Sequence, residues 1–543
     1  MIDTENIPGN SKLVKLDLNI SDEGSKHEHE SKVLLVPKPS KDPNDPLNWT
    51  TKRKYFHMFC LVVYVFGIGV PTTSIYSVLT DIAANTNISV ADLNDGTGYM
   101  FLFLGIGCFI YLPLSLKYGK RPCYLFSCLA CCLFSVWQPY VTTNGTWIGS
   151  KILQGFVASA AEALPEVSVS DVFFEHERGA WMGVYALSLY GSNYLAPLIS
   201  GFVNDGLGWK WVLYLSVIWN AVAFVFIFLF LEESSYAREN IDDKTLTPIA
   251  SRIPSKSKDN FEENIKPLDE QKLDKVITNP YIDNSIPVKT IRQRMAFSGH
   301  NNKVSFAYLF AGPFKMLQFP VVLWSGFIYG ATLIWYSVMN ATLSLVFTSE
   351  PYNFSSAIAG VVYTSPLIFA IIFYVYAAWA LDYLKVLIAK RRNGNSKAED
   401  RLWSLILYII LGPASLILWG VGAYHKVHWF GLVIGCGVMG GLAPIGCNVG
   451  VTYTVDSYHE MSCEAMVVII IIRNGMSFAV NYGITPWVTN MGFQNSFIMA
   501  AFICLGTIGS FCLMIFTGPY WRARSREGYW KLVAEKERIL STN

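Results

Sequence analysis

Two carboxylic acids within a long apolar segment are the side chains in this sequence best placed to do chemistry. Glu162 and Glu166 lie one helical turn apart in residues 147–171, with Pro165 between them. That segment is long enough to cross a bilayer as a helix. A charge inside a bilayer is costly, so both acids are expected to face a protein interior or a water-filled cavity. The sequence therefore predicts a path for cations and protons here. The alternative is a structural pair, protonated or hydrogen-bonded to neighbouring helices.

The helical repeat places further residues on the same face as the two acids. A rise of ~1.5 Å per residue separates Glu162 from Glu166 by about 6 Å, comparable with the amine spacing in a propyl or butyl diamine. A carboxylate desolvated beside another carboxylate readily holds a proton and can exchange it for an ammonium group. We therefore expect both glutamates to bind substrate and to couple transport to protons. The full stripe contains Lys151, Gly155, Ala158, Ser159, Glu162 and Glu166.

Aromatic and polar side chains within apolar segments are further candidates for contact with a cation. A desolvated ammonium group gains up to about 2 kcal/mol from an aromatic face. Ordinary packing or anchoring at the membrane surface is the alternative for each aromatic residue. An asparagine within a span either orients a ligand or joins helices. The substrate-binding candidates besides the glutamates are Tyr76, Tyr190, Trp335, Tyr336, Asn340, Tyr453 and Asp456.

Three charged residues outside this stripe lie in or near apolar segments. Asp456, near an inner end, is a candidate for a gate or release site, with a contact at the cytoplasmic surface as the alternative. Asp95, near an outer end, is a candidate for attracting cations to the outer mouth, with helix capping as the alternative. Arg473 lies well inside its segment and must be paired there. A structural partner is favoured for it over an anionic-substrate site.

Composition is typical of a membrane protein. The 543 residues are 52% hydrophobic and 15% charged, and the net charge of +2 gives no argument for binding nucleic acid. The 11 cysteines fall almost entirely in apolar segments, which favours small buried hydrophobic residues over a metal or redox site. The apolar segments contain no evident metal or nucleophile cluster. We therefore predict a protein that is not an enzyme and that uses no metal or cofactor.

Twelve apolar segments divide into two groups of six on either side of a polar stretch. This pattern predicts an all-α membrane protein with twelve transmembrane helices in two six-helix bundles around a midplane site, and it does not match a seven-span receptor. The segments fall near 57–79, 96–115, 122–141, 147–170, 181–203, 211–231, 320–347, 357–381, 402–422, 428–454, 466–488 and 495–517.

The polar stretches complete the predicted domain organisation. The N-terminal tail is expected to be disordered, and the central linker is expected to end in a short interfacial helix near 304–318. The divisions are 1–54 for the N-terminal tail, 55–231 for the first bundle, 232–319 for the linker, 320–517 for the second bundle and 518–543 for the C-terminal tail.

Basic residues concentrate in the even-numbered gaps between segments and in the last tail. The positive-inside rule therefore places both termini and the linker in the cytoplasm. The polar start lacks the apolar core of a cleavable signal peptide, so the first span is expected to act as the signal. Candidate glycosylation sequons in predicted outer loops begin at Asn87, Asn144 and Asn353, although Asn19 and Asn48 also begin sequons in the inner tail.

Short motifs occur in an order that resembles the major facilitator superfamily. Residues 391–402 are similar to the matching loop of the second half in fungal members. The first-half motifs are Gly119-Lys120-Arg121-Pro122, similar to the signature loop; Lys151-Ile152-Leu153-Gln154-Gly155, similar to Arg-x-x-Gln-Gly; and Ala196-Pro197-Leu198-Ile199-Ser200-Gly201, similar to the Gly-Pro motif of the drug:proton antiporter branch. One departure is Leu116, where the signature loop has an acidic residue, so a charge contact of that loop is expected to be missing.

Within that branch, residues 96–101, 161–166 and 453–458 resemble fungal importers of polyamines and histidinol. The resemblance implies proton-coupled uptake of organic cations across the plasma membrane by alternating access. Polyamines such as spermidine and putrescine are the expected substrates, with histidinol as a further candidate. The expected partners are small organic cations, protons and the lipid bilayer, and the expected form is a monomer. The alternative function is proton-coupled export of drugs.

Overall fold

The computed structural model describes residues 7–12, 40, 42–236, 286–296, 305–391 and 395–542. Within these ranges the regular secondary structure is helical, apart from two short strands that pair with each other. Most of the predicted N-terminal tail, 1–54, and most of the predicted linker, 232–319, lie outside the described residues.

The first half of the chain begins with a short strand and continues as helices. Short 3₁₀ helices lie at Pro46–Asn48 and Gln138–Tyr140. The other elements are β1 Asn10–Lys12, α1 Thr51–Thr73, α2 Leu79–Asn85, α3 Val90–Tyr118, α4 Lys120–Trp137, α5 Asn144–Ala158, α6 Ala160–Val172, α7 Glu175–Leu207 and α8 Trp209–Phe230.

The second half follows the same plan. Its 3₁₀ helices are Ala398–Leu405, directly before α14, and His459–Met461. The final helix runs through the predicted polar tail, 518–543, almost to the last residue. The elements are α9 Ile291–Arg294, α10 Phe306–Met316, α11 Pro320–Thr348, α12 Ser356–Val361, α13 Thr364–Arg391, β2 Asn395–Lys397, α14 Ile406–Tyr424, α15 Trp429–Ser457, α16 Ser462–Met491 and α17 Phe493–Thr542.

Ten helical segments among the described residues are long and apolar enough to cross a membrane. The other two predicted spans are helical as well: the fourth consists of α5 and α6, and the fifth is α7. The fourth consists of two short helices because it is interrupted at Ser159. Helix α7 has 33 residues and is long enough to cross a membrane, so its composition and not its length keeps it out of the ten segments. The predicted all-α membrane class is confirmed, and helices occupy all twelve predicted positions.

The predicted continuous stripe of the fourth span is interrupted at Ser159. The Ser159 carbonyl accepts hydrogen bonds from the backbone N–H groups of Glu162 (3.1 Å) and Ala163 (3.4 Å), which tightens the turn. Before this break, the helix packs closely on α3: a Cβ on Gly155 would lie 2.1 Å from the carbonyl oxygen of Met100. At Gly155 the stripe therefore packs directly on α3, while a cation path along the rest of the stripe stays a prediction.

The two ends of the bundle differ in how the halves meet. We call the end that carries residues 7–12, 286–296 and the close of α17 the termini face, and the opposite end the loop face. At the loop face, Asp81 of the first half accepts a hydrogen bond from the Ser356 hydroxyl of the second. A Cβ on Gly201 would lie 2.3 Å from the carbonyl oxygen of Ser356, so α7 and α12 cross almost in backbone contact. The loop face is therefore closed.

Ion pairs at the termini face follow the same arrangement in both halves. In the first half, Lys120 after the second span pairs with Asp171 at the end of the fourth. In the second half, Arg401 after the eighth span pairs with Asp456 at the end of the tenth, at 2.7 Å. The signature loop thus keeps a charge contact although Leu116 replaces its usual acid. This correspondence reveals a structural repeat between the halves at the level of contacts.

Residues 7–12 of the N-terminal tail form what we call the strap. It joins the second half, because β1 pairs antiparallel with β2. The Pro8 carbonyl accepts a hydrogen bond from the Arg522 guanidinium of α17. Gly9 has a φ of +85°, and a Cβ there would lie 3.0 Å from the Ser457 Cα, so only glycine suits this close approach. The strap therefore forms part of the termini face.

Candidate functional site

A cavity of about 480 Å³ extends from the middle of the bundle to the termini face. Glu166 and Tyr329 line its deep part, and Gly9, Lys397 and His459 line it near the termini face. In the part of the chain that the structure describes, no hydrogen bond or ion pair engages the Glu166 carboxylate. Since an unpaired charge away from bulk water is costly, Glu166 is well suited to take up a cation or a proton.

Glu162 is in a different environment, one turn earlier on α6. Its carboxylate forms an ion pair with Arg473 of α16, which belongs to the other half of the molecule. The Nδ2 of Asn474 donates to its second oxygen at 3.0 Å. Arg473 also donates to the hydroxyl of Tyr329 at 3.0 Å, and both Glu162 and Arg473 are less than a tenth exposed. Each oxygen of Glu162 therefore has a partner, and each half contributes to the cluster.

Pro165 and Tyr185 fix the backbone that carries the two glutamates. Because proline has no N–H, the carbonyl of Ala161, four residues earlier, loses its helical donor. The Tyr185 hydroxyl of α7 supplies hydrogen bonds instead, at 3.1 Å to the Ala161 carbonyl and 3.2 Å to that of Glu162. Tyr185 also lines the large cavity. It therefore connects α6 to the cavity wall at the position where the carboxylates point inward.

A smaller cavity of about 110 Å³ adjoins the Glu162–Arg473 pair and reaches the loop-face end of α1. Asn340 in its wall accepts a hydrogen bond from the Tyr363 hydroxyl, and the Tyr336 ring packs edge-on against Tyr194 with centroids 5.4 Å apart. The structure thus brings together, around this cavity, the predicted residues Tyr76, Tyr190, Tyr336, Asn340 and Glu162.

Two predicted aromatic residues line neither of these two cavities. Trp335 is buried beside Tyr336 on α11, but neighbouring positions on a helix point about 100° apart. Tyr453 is fully buried near the termini face, where its hydroxyl donates to Glu399 at 3.3 Å. In this conformation both side chains serve helix packing, and a role of Trp335 and Tyr453 in substrate binding stays a prediction.

The two predicted aspartates lie at opposite faces. Asp456 lines the large cavity near the termini face and is paired with Arg401. Asp95 lies within α3, one turn beyond the residues that cap this helix, which are Ser89 and Asp92. The capping alternative for Asp95 is therefore wrong, and its place near the loop face leaves attraction of cations as its predicted role.

The remaining marked residues of the first half have distinct environments. Lys151 is fully buried outside both cavities; its ammonium donates to Gln154 at 3.0 Å and lies 4.9 Å from the Trp147 ring centroid.

Among the sequon asparagines, Asn87 and Asn353 are exposed. Asn144 is half-buried, and its amide nitrogen donates to Asp92 at 2.6 Å. Within the described ranges, no three His, Cys, Asp or Glu side chains form a metal site.

Sequence reasoning missed the partnership of Glu162 with Arg473 and the roles of Tyr185 and Tyr329. A signal existed for the first, because a deeply placed arginine needs a carboxylate and the fourth span offers two at similar depth. A signal also existed for Tyr185, since Pro165 leaves a carbonyl that requires a donor from another helix. The helix that would supply each partner could not be read from the sequence.

Comparison with known families accounts for this architecture. Residues 58–459 match the family described as Major Facilitator Superfamily. The chain belongs to the major facilitator superfamily. It is 29% identical to an uncharacterised MFS-type transporter of Schizosaccharomyces pombe, with 98% of this chain and 96% of that protein covered. It is 26% identical to Protein HOL1 of Saccharomyces cerevisiae, with 93% and 92% covered.

Two further similarities are more distant. This facilitator is 23% identical to the MFS antiporter QDR3 of Candida albicans, with 88% of this chain and 79% of that protein covered. The human organic anion transporter MFSD10 (TETRAN) superposes with a TM-score of 0.50 at 13% identity, covering 85% of this chain and all of that one, which supports the fold. The protein is therefore a multi-pass membrane transporter of small solutes and not an enzyme.

Proposed function

We propose that this facilitator imports organic polycations across the plasma membrane, as a proton-coupled monomer working by alternating access. Polyamines such as spermidine and putrescine are the proposed substrates, with histidinol as a further candidate. The observation that carries the proposal is the Glu166 carboxylate, which lines the large cavity and has no ion-pair partner among the described residues. Ionisable groups inside a membrane typically mark substrate and proton pathways.

The surroundings of Glu166 suit a cation. Tyr185, Tyr329 and Tyr374 line the same cavity, and Asn448 adds a polar group. Aromatic faces stabilise a desolvated ammonium group by up to about 2 kcal/mol. A protonated Glu166 would release its proton as the ammonium group binds or leaves, which is the exchange that proton coupling requires.

The charges of the cavity favour release at the termini face. Arg178, Lys397 and Arg401 line the cavity nearer that face, with Asp456 as the acid among them. Their net positive charge lowers the affinity of this open cavity for a cation, which favours release there. With the termini face in the cytoplasm, as the basic loops favour, this arrangement supports uptake.

The membrane potential also favours this direction. Each positive charge that moves inward through 100 mV gains about 2.3 kcal/mol, so a trivalent amine gains about 7 kcal/mol. Export of the same amine would have to overcome that energy. Proton-coupled drug export is the alternative function, and the similarity to a protein named as an antiporter favours it.

Uptake of labelled spermidine by cells that lack their own importer tests the proposal. We compare the native chain with Glu166→Gln and with Glu537→Gln, which makes the same change at an exposed position of α17. We expect the native chain and the control to take up spermidine, and Glu166→Gln to lose at least about tenfold of the rate, the usual size of a charge contact's contribution.

Two outcomes would contradict the proposal. Equal uptake by all three chains at the cell surface would show that Glu166 is not the cation site. No uptake by the native chain, together with proton-dependent efflux of a lipophilic drug, would establish the export function instead.

A further inference from the structure

The Glu162–Arg473 ion pair is the one feature of the site that a cation transporter does not obviously need. It places a fixed positive group of the second half on a carboxylate of the first half, beside the cavity that holds Glu166. In this state one of the two glutamates already binds a cation that belongs to the protein. A transported cation that uses both carboxylates must therefore compete with the guanidinium group.

We propose that Arg473 is an internal competitor of the substrate: it occupies Glu162 when the cavity is open at the termini face, and an ammonium group of a diamine or polyamine takes its place when substrate is bound. This inference rests on the proposed import of organic cations. It makes Glu162 and Glu166 a two-carboxylate site for cations with two ammonium groups, and makes Arg473 a positioning residue that promotes their release.

Arg473 has other contacts that remain when it leaves Glu162. Its guanidinium donates to the Tyr329 hydroxyl at 3.0 Å and to the Asn474 side-chain oxygen at 2.7 Å. It also lies over the Tyr329 ring, 5.1 Å from the centroid. A guanidinium group that keeps two hydrogen bonds and an aromatic face is stabilised without its carboxylate. The exchange therefore does not leave a bare charge in the protein interior.

Space for the incoming group exists on the other side of the pair. The smaller cavity, about 110 Å³, is lined by Glu162 and Arg473 themselves. A water-sized group needs roughly 10–15 Å³ of such space, so an ammonium group with its adjoining methylenes fits. The two carboxylates lie one helical turn apart on α6, a separation of about 6 Å along the axis, which a four-carbon diamine spans.

Return of Arg473 to Glu162 gives a physical route to release. The ammonium group and the guanidinium group carry the same charge, so exchanging one for the other keeps the carboxylate neutralised throughout. Without Arg473, release from Glu162 would leave a buried charge unpaired, which is strongly unfavourable. Removing the guanidinium group should therefore strengthen binding of a dication and slow its release.

Transport by the purified full-length chain in liposomes, with putrescine and butylamine as labelled substrates, tests this inference. Both amines have four carbons, but only putrescine has a second ammonium group. For Arg473→Gln we expect the KM of putrescine to fall roughly tenfold or more, the size found for close charge pairs. Its maximal rate should fall as well. The KM of butylamine should change much less, because its single ammonium group already has Glu166.

Two further variants keep the test decisive if Arg473→Gln does not fold. Arg473→Lys retains the charge but loses the second donor arm, so its KM for putrescine should lie between those of the native chain and Arg473→Gln. The double variant Glu162→Gln, Arg473→Gln removes both charges and leaves neutral amides in their place, and it should transport putrescine and butylamine with similar KM values.

The outcomes separate this inference from the function on which it rests. If the native chain transports neither amine nor spermidine, the proposed function fails. If the native chain transports putrescine but Arg473→Gln changes the KM of both amines equally, or of neither, Arg473 is structural and the inference alone is overturned. A double variant that still prefers putrescine as the native chain does would overturn it as well.

Discussion

Replacing Gly201 with alanine should open the loop face. The added Cβ would lie 2.3 Å from the Ser356 carbonyl oxygen and 3.1 Å from the Ala357 Cα, so α7 and α12 must separate by roughly 1 Å. Overpacking of this kind costs about 1–3 kcal/mol. That cost arises only in the conformation in which the two helices meet. The equilibrium should therefore shift by about 5- to 150-fold toward a conformation with an open loop face.

Distance measurements between spin labels across the loop face provide the assay. Asn85 of the first half and Tyr424 of the second are exposed positions for the labels. Gly206→Ala is the matched control, because a Cβ at that position on the same helix meets nothing within 4 Å. We expect longer distances in Gly201→Ala and native distances in the control. Identical distance distributions in both variants, with equal thermal stability, would refute the packing argument.

Two further predictions concern the periphery of the molecule. Glycosidase treatment should increase the gel mobility of the native chain. This mobility shift should be smaller in Asn87→Gln or Asn353→Gln but unchanged in Asn144→Gln, because only Asn144 is half-buried with its amide hydrogen-bonded. Loss of the mobility shift in Asn144→Gln alone would contradict this prediction. Asp171→Asn should lower the melting temperature in detergent, because it leaves the buried Lys120 unpaired at a cost of roughly 3 kcal/mol. Asp171→Asn combined with Lys120→Met should recover part of the loss, and equal melting temperatures for all three chains would show that the pair is not stabilising.

The helical architecture could be predicted because it follows from periodicity and hydropathy alone. Each predicted span corresponds to observed helix, and the short interfacial helix predicted near 304–318 corresponds to α10, Phe306–Met316. The bilayer requires long apolar helices whatever their packing. The hydropathy pattern along the sequence is therefore sufficient to locate the helices. The break at Ser159 was missed because its cause, a tightened turn before Pro165, changes no hydropathy.

The site could be predicted only in part because partners come from distant segments. The helical repeat placed Glu162 and Glu166 together correctly, since one turn separates them. It could not show that Glu162 meets Arg473, which lies 311 residues further along the chain. The rotation of α11 and α15 about their axes likewise decides that Tyr336 lines the smaller cavity while Trp335 and Tyr453 line neither of the two cavities described. Such rotations depend on packing against neighbouring helices.

The strap, residues 7–12, contacts the last helix of the chain, because Arg522 of α17 donates a hydrogen bond to the Pro8 carbonyl. Gly9 consequently lines the large cavity, although about 40 residues separate it from the first span. A fluorescent protein or affinity tag fused at the amino terminus, or deletion of the first residues, should therefore disturb the opening of the large cavity at the termini face. The transport rate of a chain tagged at the amino terminus should be compared with that of a chain tagged after residue 543. Only equal rates would show that a tag at the amino terminus does not affect transport.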